Sequence, residues 1–158
     1  MNIGIIPARL DSKRFPKKIL KSLNGKPMIA NTVERSLMAK RLDKVILAID
    51  SEETKNALKG FDFEIKMTSK NHNSGTDRVA EVIENINEAK VVINIQGDEP
   101  MIDPKIIDAL VEKTEEPSVE FATVISKNLV AADILNPNVV KAFINEKKEI
   151  IEFKRNIL

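Results

Sequence analysis

Apolar residues follow two patterns along this chain, short continuous runs and helical spacing, and the two patterns alternate. Short continuous runs predict strands at Ile3–Ile6, Val45–Ile49, Val91–Ile95 and Phe121–Ile125, and alternating apolar and polar residues at Phe63–Met67 predict another, third along the chain and closer to an edge of the sheet. Apolar residues at helical spacing predict helices between them, at Pro27 to about Arg41, at Glu52–Lys59, behind Ser74 and from Asp103. Strands that alternate with helices are typical of a parallel α/β sheet.

The last part of the chain follows a different pattern. A turn signal at Asn136-Pro137-Asn138 precedes two apolar runs, Val139–Ile144 and Ile150–Phe153, joined by polar residues 145–148. These runs predict an antiparallel hairpin. The predicted fold class is therefore α/β, with a mainly parallel sheet and a late antiparallel hairpin. Because 158 residues suit one domain and no linker or repeat interrupts them, a single domain over residues 1–158 is expected.

An acidic turn, Gly97-Asp98-Glu99-Pro100, follows the predicted strand Val91–Ile95. In open α/β sheets, ligands bind in the crevice outside the carboxyl ends of the strands. Acids after strands also cap the next helix, but here Asp103 is already a candidate cap for that helix. Magnesium sites commonly use one or two carboxylates plus substrate phosphates. Asp98 is therefore a candidate magnesium ligand.

A basic loop from Pro7 to Lys18 follows the first predicted strand and carries Arg9, Arg14 and Lys18. Arg offers forked donors to phosphate oxygens and Lys a compact charge, so the loop is suited to a polyphosphate. A solvated charged loop is the alternative, and spacing alone does not separate the two. Neither a GxxxxGK[ST] nor a GxGxxG motif occurs, so a P-loop and a dinucleotide fingerprint are not supported.

His72 is the only histidine, and cysteine is absent, which excludes multi-histidine and thiolate metal sites. It precedes Ser74 and Asp77, which have the spacing of a capping box at a helix N-terminus. Such an end presents free N–H groups to anions or polar ligands. A role in stabilising the loop is the alternative for His72. No GxSxG elbow is present to support a serine hydrolase.

The charge balance argues against broad electrostatic partners. Twenty-five basic and twenty-four acidic residues leave a formal charge of +1, which provides no general attraction for nucleic acid or an anionic membrane. No apolar run approaches the ~20 residues that span a bilayer, and the N-terminus lacks a signal-peptide pattern. We therefore expect a cytoplasmic protein that binds neither nucleic acid nor membranes.

Several segments, in order along the chain, are similar to one enzyme family. The segments Ile6–Arg9, Ser12–Lys18 and Asn24–Ile29 resemble the N-terminal signature of the sugar-activating cytidylyltransferases. His72–Arg78, Asn94–Pro100 and Asn136–Lys141 narrow the resemblance to the 3-deoxy-manno-octulosonate cytidylyltransferase (CMP-Kdo synthetase) family. The similarity extends from residue 3 to about residue 155, which makes it more specific than any single motif.

The resemblance implies a Rossmann-like three-layer nucleotidyltransferase fold and a defined reaction. The anomeric hydroxyl of a 3-deoxy-octulosonic acid would attack the α-phosphate of CTP, giving the CMP-sugar for lipopolysaccharide synthesis and pyrophosphate. The implied cofactor is Mg²⁺, the implied substrates are CTP and an acidic sugar, and the implied assembly is a homodimer.

The resemblance also implies roles for individual residues. Arg9, Lys18 and Asp98 would be catalytic, with Asp98 holding the metal. Gln96, Lys141 and Arg155 would lie on the sugar side. The implied nucleotide-binding residues are Pro7, Ala8, Arg9, Arg14, Lys18, Met67, His72, Ser74, Gly75, Thr76, Gln96 and Gly97.

The chain departs from the family pattern at three places. Lys17 stands where the family usually has Gly, and Lys154 where it usually has Ser. Family members also continue well beyond the position of Leu158, through much of the sugar site, the dimer interface and a second aspartate for magnesium. Two alternatives follow: a truncated, non-catalytic nucleotide-binding or interaction domain, or the same reaction on an amino-octulosonate or a sialic acid.

Overall fold

The computed structural model describes residues 1–11 and 15–157. Its strands are β1 (Asn2–Ala8), β2 (Ser22–Leu23), β3 (Lys26–Pro27), β4 (Lys44–Ile49), β5 (Glu64–Met67), β6 (Val91–Asn94), β7 (Lys141–Ile144) and β8 (Ile150–Lys154). Its α-helices are α1 (Met28–Leu37), α2 (Glu52–Ala57), α3 (Gly75–Ile83), α4 (Pro104–Thr114) and α5 (Ala131–Leu135), and a 3₁₀ helix spans Lys18–Leu20.

The central sheet has four parallel strands in the order β5-β4-β1-β6. Ile5 of β1 pairs with Ile46 of β4 on one side and with Asn94 of β6 on the other. Because all four strands run the same way, their carboxyl ends lie along one edge of the sheet. The predicted α/β class with a mainly parallel sheet is confirmed.

Helices cover both faces of this sheet. On one face, Ile6 and Leu47 share a buried cluster with residues of α1 and α4. On the other face, Ile5 and Ile46 pack with Val82 of α3. Strands that are buried on both sides need apolar residues at successive positions, which explains why β1 and β4 appear in the sequence as continuous runs instead of alternating ones. The result is the three-layer architecture that the resemblance implied.

Interresidue contacts divide the chain into two compact units, Met1–Ala122 and Thr123–Leu158. In the second unit, β7 and β8 pair antiparallel, with Ala142 opposite Phe153. The predicted late hairpin is therefore confirmed. The expectation of one domain over residues 1–158 stays a prediction.

The predicted fifth strand at Phe121–Ile125 is wrong. These residues form neither strand nor helix, and Phe121 is 93% exposed. Among the residues that the structure describes, no strand pairs with them. A β-favouring composition does not form a strand without a neighbouring strand to satisfy its backbone N–H and C=O groups.

No helix in residues 1–11 and 15–157 is both long enough and apolar enough to cross a lipid bilayer.

Candidate functional site

The loops that follow the parallel strands surround a cavity of about 620 Å³. It lies within the first unit, at the carboxyl edge of the sheet. The residues that line it are Pro7, Ala8, Arg9, Phe15, Lys18, Ile19, His72, Asn73, Ser74, Gly75, Arg78, Gln96, Gly97 and Asp98. Three separate parts of the chain therefore contribute: the end of β1 with its loop, the start of α3, and the turn after β6.

One residue of the loop after β1, Lys17, has a left-handed backbone conformation. Lys17 has φ +53° and ψ +32° and leads into the 3₁₀ helix that begins at Lys18. Lys17 Nζ donates to Glu53 Oε1 at 2.6 Å, whereas Lys18 Nζ donates to Asp98 Oδ2 at 2.9 Å. With this conformation the two neighbouring lysines contact different acidic residues. Of the two, only Lys18 lines the cavity.

The turn after β6 lies close against β1 and α1. A Cβ atom on Gly97 would approach the Pro7 carbonyl oxygen to 3.0 Å and Ile29 Cδ1 to 3.1 Å, so any side chain there would force a shift. Gly97 is buried, and its neighbours Gln96 and Asp98 are exposed on the cavity wall. Close packing of Gly97 therefore sets the position of the two predicted site residues beside it.

The N-terminus of α3 forms another wall. Ser74 Oγ accepts from Asp77 N at 3.1 Å, and Asp77 Oδ2 accepts from Ser74 N at 2.9 Å, which confirms the predicted capping box. The positive end of the helix dipole and the free N–H groups of its first turn favour an anionic or polar ligand. Ser74 and Gly75 contribute to the cavity lining at this end.

A buried ion pair joins the loops around the cavity. Arg78 Nη2 donates to Asp50 Oδ2 at 3.0 Å, and both side chains are almost completely buried. Asp50 Oδ1 also accepts from Leu10 N at 3.0 Å, while Arg78 Nη1 donates to Ser69 O at 3.0 Å and to Thr68 Oγ1. This network connects the ends of β1, β4 and β5 to α3. The sequence prediction assigned no role to Arg78 or Asp50.

His72 is held at the cavity by Glu81 of α3. Its ring Nε2 lies within hydrogen-bonding distance of Glu81 Oε2, and that carboxylate also accepts from Ser69 N at 2.9 Å. The hydrogen bond with His72, and next the one from Ser69, lower the pKa of Glu81 below its usual value. Glu81 is therefore a carboxylate at neutral pH, and it fixes the orientation of the His72 ring.

Most of the predicted site residues meet at this cavity. Those that line it are Pro7, Ala8, Arg9, Lys18, His72, Ser74, Gly75, Gln96, Gly97 and Asp98. Met67 and Thr76 do not line it; Met67 ends β5, and Thr76 lies in the first turn of α3. Arg14 lies outside the described residues. The functional role of each residue stays a prediction.

Lys141 and Arg155, predicted on the sugar side, belong to the second unit. Lys141 is buried, and its Nζ donates to Asn136 O at 2.7 Å and to Arg155 O at 2.5 Å. Arg155 Nη1 donates to the carbonyl oxygens of Pro137 and Asn138, each at 3.3 Å. Both cations thus stabilise the turn before the hairpin.

Four lining residues, Phe15, Ile19, Asn73 and Arg78, were not predicted as site residues. The sequence does contain an indication that Arg78 belongs to the site, because it lies four positions after the helix cap Ser74 and so faces the same side of α3. It contains no such indication for Phe15 and Ile19, because apolar residues in a loop do not indicate which surface they contact.

The cavity can accept a divalent cation through one carboxylate. Asp98 is the only acidic side chain among the described lining residues, and those residues contain no cluster of three or more metal-ligating side chains. Magnesium is often held by one or two carboxylates while substrate phosphates and water complete its coordination. The exposed Asp98 carboxylate, with cationic side chains beside it, fits that mode of binding.

Comparisons with known proteins identify a family for this chain. A sequence model described as cytidylyltransferase matches residues 3–157. The 3-deoxy-manno-octulosonate cytidylyltransferase of Geobacter sulfurreducens is 41% identical over 160 residues, which cover 100% of this chain and 64% of that protein. The enzyme of the same name from Alteromonas mediterranea is 43% identical over 155 residues, covering 96% of this chain and 62% of that protein.

Among solved structures, CMP:2-keto-3-deoxy-manno-octonic acid synthetase in complex with CTP superimposes with a TM-score of 0.88 at 36% identity. The superposition covers 99% of this chain and 65% of the other. The chain thus spans a little under two thirds of the length of the curated relatives that it matches. Because the family match extends over residues 3–157, the chain belongs to the cytidylyltransferase family.

Proposed function

We propose that the protein transfers the cytidylyl group of CTP to a 3-deoxy-octulosonic acid. The anomeric hydroxyl oxygen of the sugar attacks the α-phosphorus and loses its proton to water, and the bond between the α-phosphorus and the oxygen that bridges to the β-phosphorus breaks. The products are the CMP-sugar and pyrophosphate. The observation that carries the proposal is the meeting of Arg9, Lys18 and Asp98 in one cavity, in a chain similar to the named relatives.

The cationic side chains would hold the triphosphate. Arg9 is exposed beside the end of β1, and Lys18 reaches the same cavity from the 3₁₀ helix. Phosphoryl transfer depends mainly on positioning and on neutralising the charge that develops on the phosphate oxygens, which cationic side chains supply. Arg14 is proposed to assist them. Lys18 would exchange its contact with Asp98 for a phosphate oxygen.

The opposite wall would hold the nucleoside. His72, fixed by Glu81, and the capped N-terminus of α3 at Ser74 and Gly75 offer polar groups at fixed positions. Gln96 is proposed to lie between nucleotide and sugar. Met67 and Thr76 are proposed to border the base, and Lys141 and Arg155 to contribute to the sugar side.

Asp98 would hold Mg²⁺, which when bound would neutralise charge on the triphosphate. The exposed carboxylate supports this role, because it is paired with a flexible lysine that can move aside. We further propose that the protein acts in the cytoplasm, where its substrate CTP is made, and that it forms a homodimer, as the family resemblance implies.

Pyrophosphate release tests the proposal. With CTP, Mg²⁺ and 3-deoxy-manno-octulosonate, the wild-type chain should release pyrophosphate, and Asp98→Asn should lower kcat by a factor of about 100 or more. Glu99→Gln is the matched control, because Glu99 is the adjacent exposed acid but does not line the cavity. Equal rates for Asp98→Asn and wild type would contradict the assignment. CTP binding without turnover would instead support the non-catalytic alternative.

A further inference from the structure

Two side chains of α1 hold the loop that carries Asp98, although neither lines the cavity. Thr32 Oγ1 donates to the carbonyl oxygen of Gly97 at 3.1 Å. Arg35 Nε donates to the carbonyl oxygen of Ile102 at 3.0 Å. Residues three apart on a helix lie on the same face, so α1 presents two donors to the two ends of the segment 97–102.

Packing alone does not require a hydroxyl group at position 32. The side chain is completely buried, between the apolar α1 residues Ile29 and Val33. A valine would fill the same volume, and a buried hydroxyl is costly unless it forms a hydrogen bond. Here the hydroxyl forms that bond with the carbonyl oxygen of Gly97. The role of the Thr32 hydroxyl is therefore to hold the backbone of the turn after β6.

The segment between the two donors has little freedom of its own. Glu99 N donates to Gln96 O at 3.2 Å, and Ile102 N donates to Glu99 O at 3.1 Å, giving two successive turns. Gly97, at one end, also packs tightly against Pro7 and Ile29. When both ends are fixed, the direction in which Asp98 leaves the backbone is fixed as well.

We propose that Thr32 and Arg35 are positioning residues, which hold the backbone of the turn so that Gln96 and Asp98 face the ligand in one geometry. The inference rests on the proposed function, because it concerns the geometry that cytidylyl transfer needs. Misplacement of a catalytic group by about 1 Å can cost a factor of about 100 in rate. The loss of one such hydrogen bond should therefore lower kcat more than it weakens CTP binding.

Three variants of the full chain test this. Thr32→Val removes the hydroxyl at constant volume and should lower kcat for pyrophosphate release about tenfold, with KM for CTP within about threefold of wild type. Thr32→Ser retains a hydroxyl and should restore most of kcat. Ser36→Ala is the matched control, because the fully buried Ser36 hydroxyl donates within α1, to Thr32 O at 2.8 Å, and does not contact the turn.

A purely structural role for Thr32 predicts that Thr32→Val and Ser36→Ala behave alike in kcat, and that result would overturn the proposal. If the wild-type chain shows no turnover, the proposed function fails, and amide hydrogen exchange of residues 98–102 decides the inference separately. Exchange there should be faster in Thr32→Val, restored in Thr32→Ser and unchanged in Ser36→Ala. Equal exchange in Thr32→Val and wild type would refute it.

Discussion

The two ion pairs at the cavity differ in burial, and this difference indicates different roles for the two pairs. Arg78 and Asp50 are nearly inaccessible and each makes further hydrogen bonds, so removing either would leave a buried charge, at a cost of about 3–5 kcal/mol. In the second pair, the side chains of Lys18 and Asp98 are 38% and 56% exposed. Exposed pairs contribute only ~0–1 kcal/mol, so this pair can exchange partners at little cost. The buried pair holds loops together, and the exposed pair is available to a ligand.

Glu81 gives a pH-dependent prediction. Its pKa is lowered in the folded protein, first by the hydrogen bond with His72, so its contribution to stability is complete above the unfolded-state pKa. That contribution is lost as the pH falls through the folded-state pKa. Glu81→Gln should therefore lower the free energy of unfolding at pH 7 by about 0.5–1 kcal/mol, and the difference from wild type should shrink below about pH 4.

Urea denaturation at several pH values measures this difference. Glu84→Gln is the control, because Glu84 is an exposed acid just after the end of the same helix. A Glu81→Gln difference that stays constant from pH 7 to about pH 3 would show that the charge of Glu81 does not stabilise the fold.

The sequence identifies those site residues whose position depends only on which strand they follow in the chain. Asp98 and Arg9 follow predicted strands, and parallel strands bring their carboxyl ends together, so their meeting at one edge followed from the strand pattern. The pairing of Arg78 with Asp50 and of Thr32 with Gly97 depends on how helices pack on the sheet. No local pattern contains that information.

At the scale of secondary-structure elements, the short hairpin of β2 and β3 shows how one turn determines where the following helix begins. Asn24 and Gly25 both have positive φ, +54° and +81°, which suits the tight turn that Asn-Gly favours. The hairpin returns the chain so that Met28 N donates to Lys21 O at 2.8 Å at the start of α1. The turn was predicted from Asn24-Gly25, but two strands of two residues each are too short to show a pattern.

Replacing Gly25 tests the importance of this turn. Apart from Gly25 and its two chain neighbours, no described residue has a heavy atom within 4 Å of a Cβ at that position, so Gly25→Ala adds backbone strain without a clash. It should lower the free energy of unfolding by about 1–2 kcal/mol, the cost of a left-handed conformation for a residue with a side chain. Urea denaturation measures the change, with Asn24→Gly as a nearly neutral control. No loss in Gly25→Ala would mean that the turn relaxes to another conformation.

The strand predictions succeeded where a neighbouring strand pairs with the segment and failed at Phe121–Ile125. The runs of β1 and β4 are apolar at successive positions because helices pack on each side. The run at Phe121–Ile125 has similar composition but no neighbouring strand among the described residues. Composition indicates what a segment prefers, whereas a strand also needs a partner, which lies elsewhere in the sequence.

At the scale of the whole molecule, the two units differ in how well they cover apolar side chains. The first contains nearly all the buried apolar residues, whereas several large apolar side chains of the second are more than half exposed: Val124, Val130, Leu135, Ile151 and Phe153. Exposed apolar side chains of this size are available for contact with a partner. This exposure is compatible with the homodimer proposed above.

Limited proteolysis should distinguish the two units. Phe121 is 93% exposed in a stretch without helix or strand, immediately before the second unit begins. Chymotrypsin should therefore cleave the full chain first after Phe121 and leave a resistant N-terminal fragment, which mass spectrometry identifies. Phe121→Ala should remove that product and leave other cleavages unchanged. First cleavage within residues 28–114 would contradict the division into units.

The buried pair of Asp50 and Arg78 also has a consequence for synthesis on the ribosome. The two residues are 28 positions apart, and the hydrogen bond from Leu10 joins a third segment to them. When β4 emerges, β1 can already pair with it and Leu10 N can already donate to Asp50, but Arg78 has not yet been translated. The rim of the cavity can close only after α3 has been translated and docks. The pairing of β1 with β4 can thus form first, the buried ion pair follows with α3, and β6 with its Asp98 turn can join the sheet only after that.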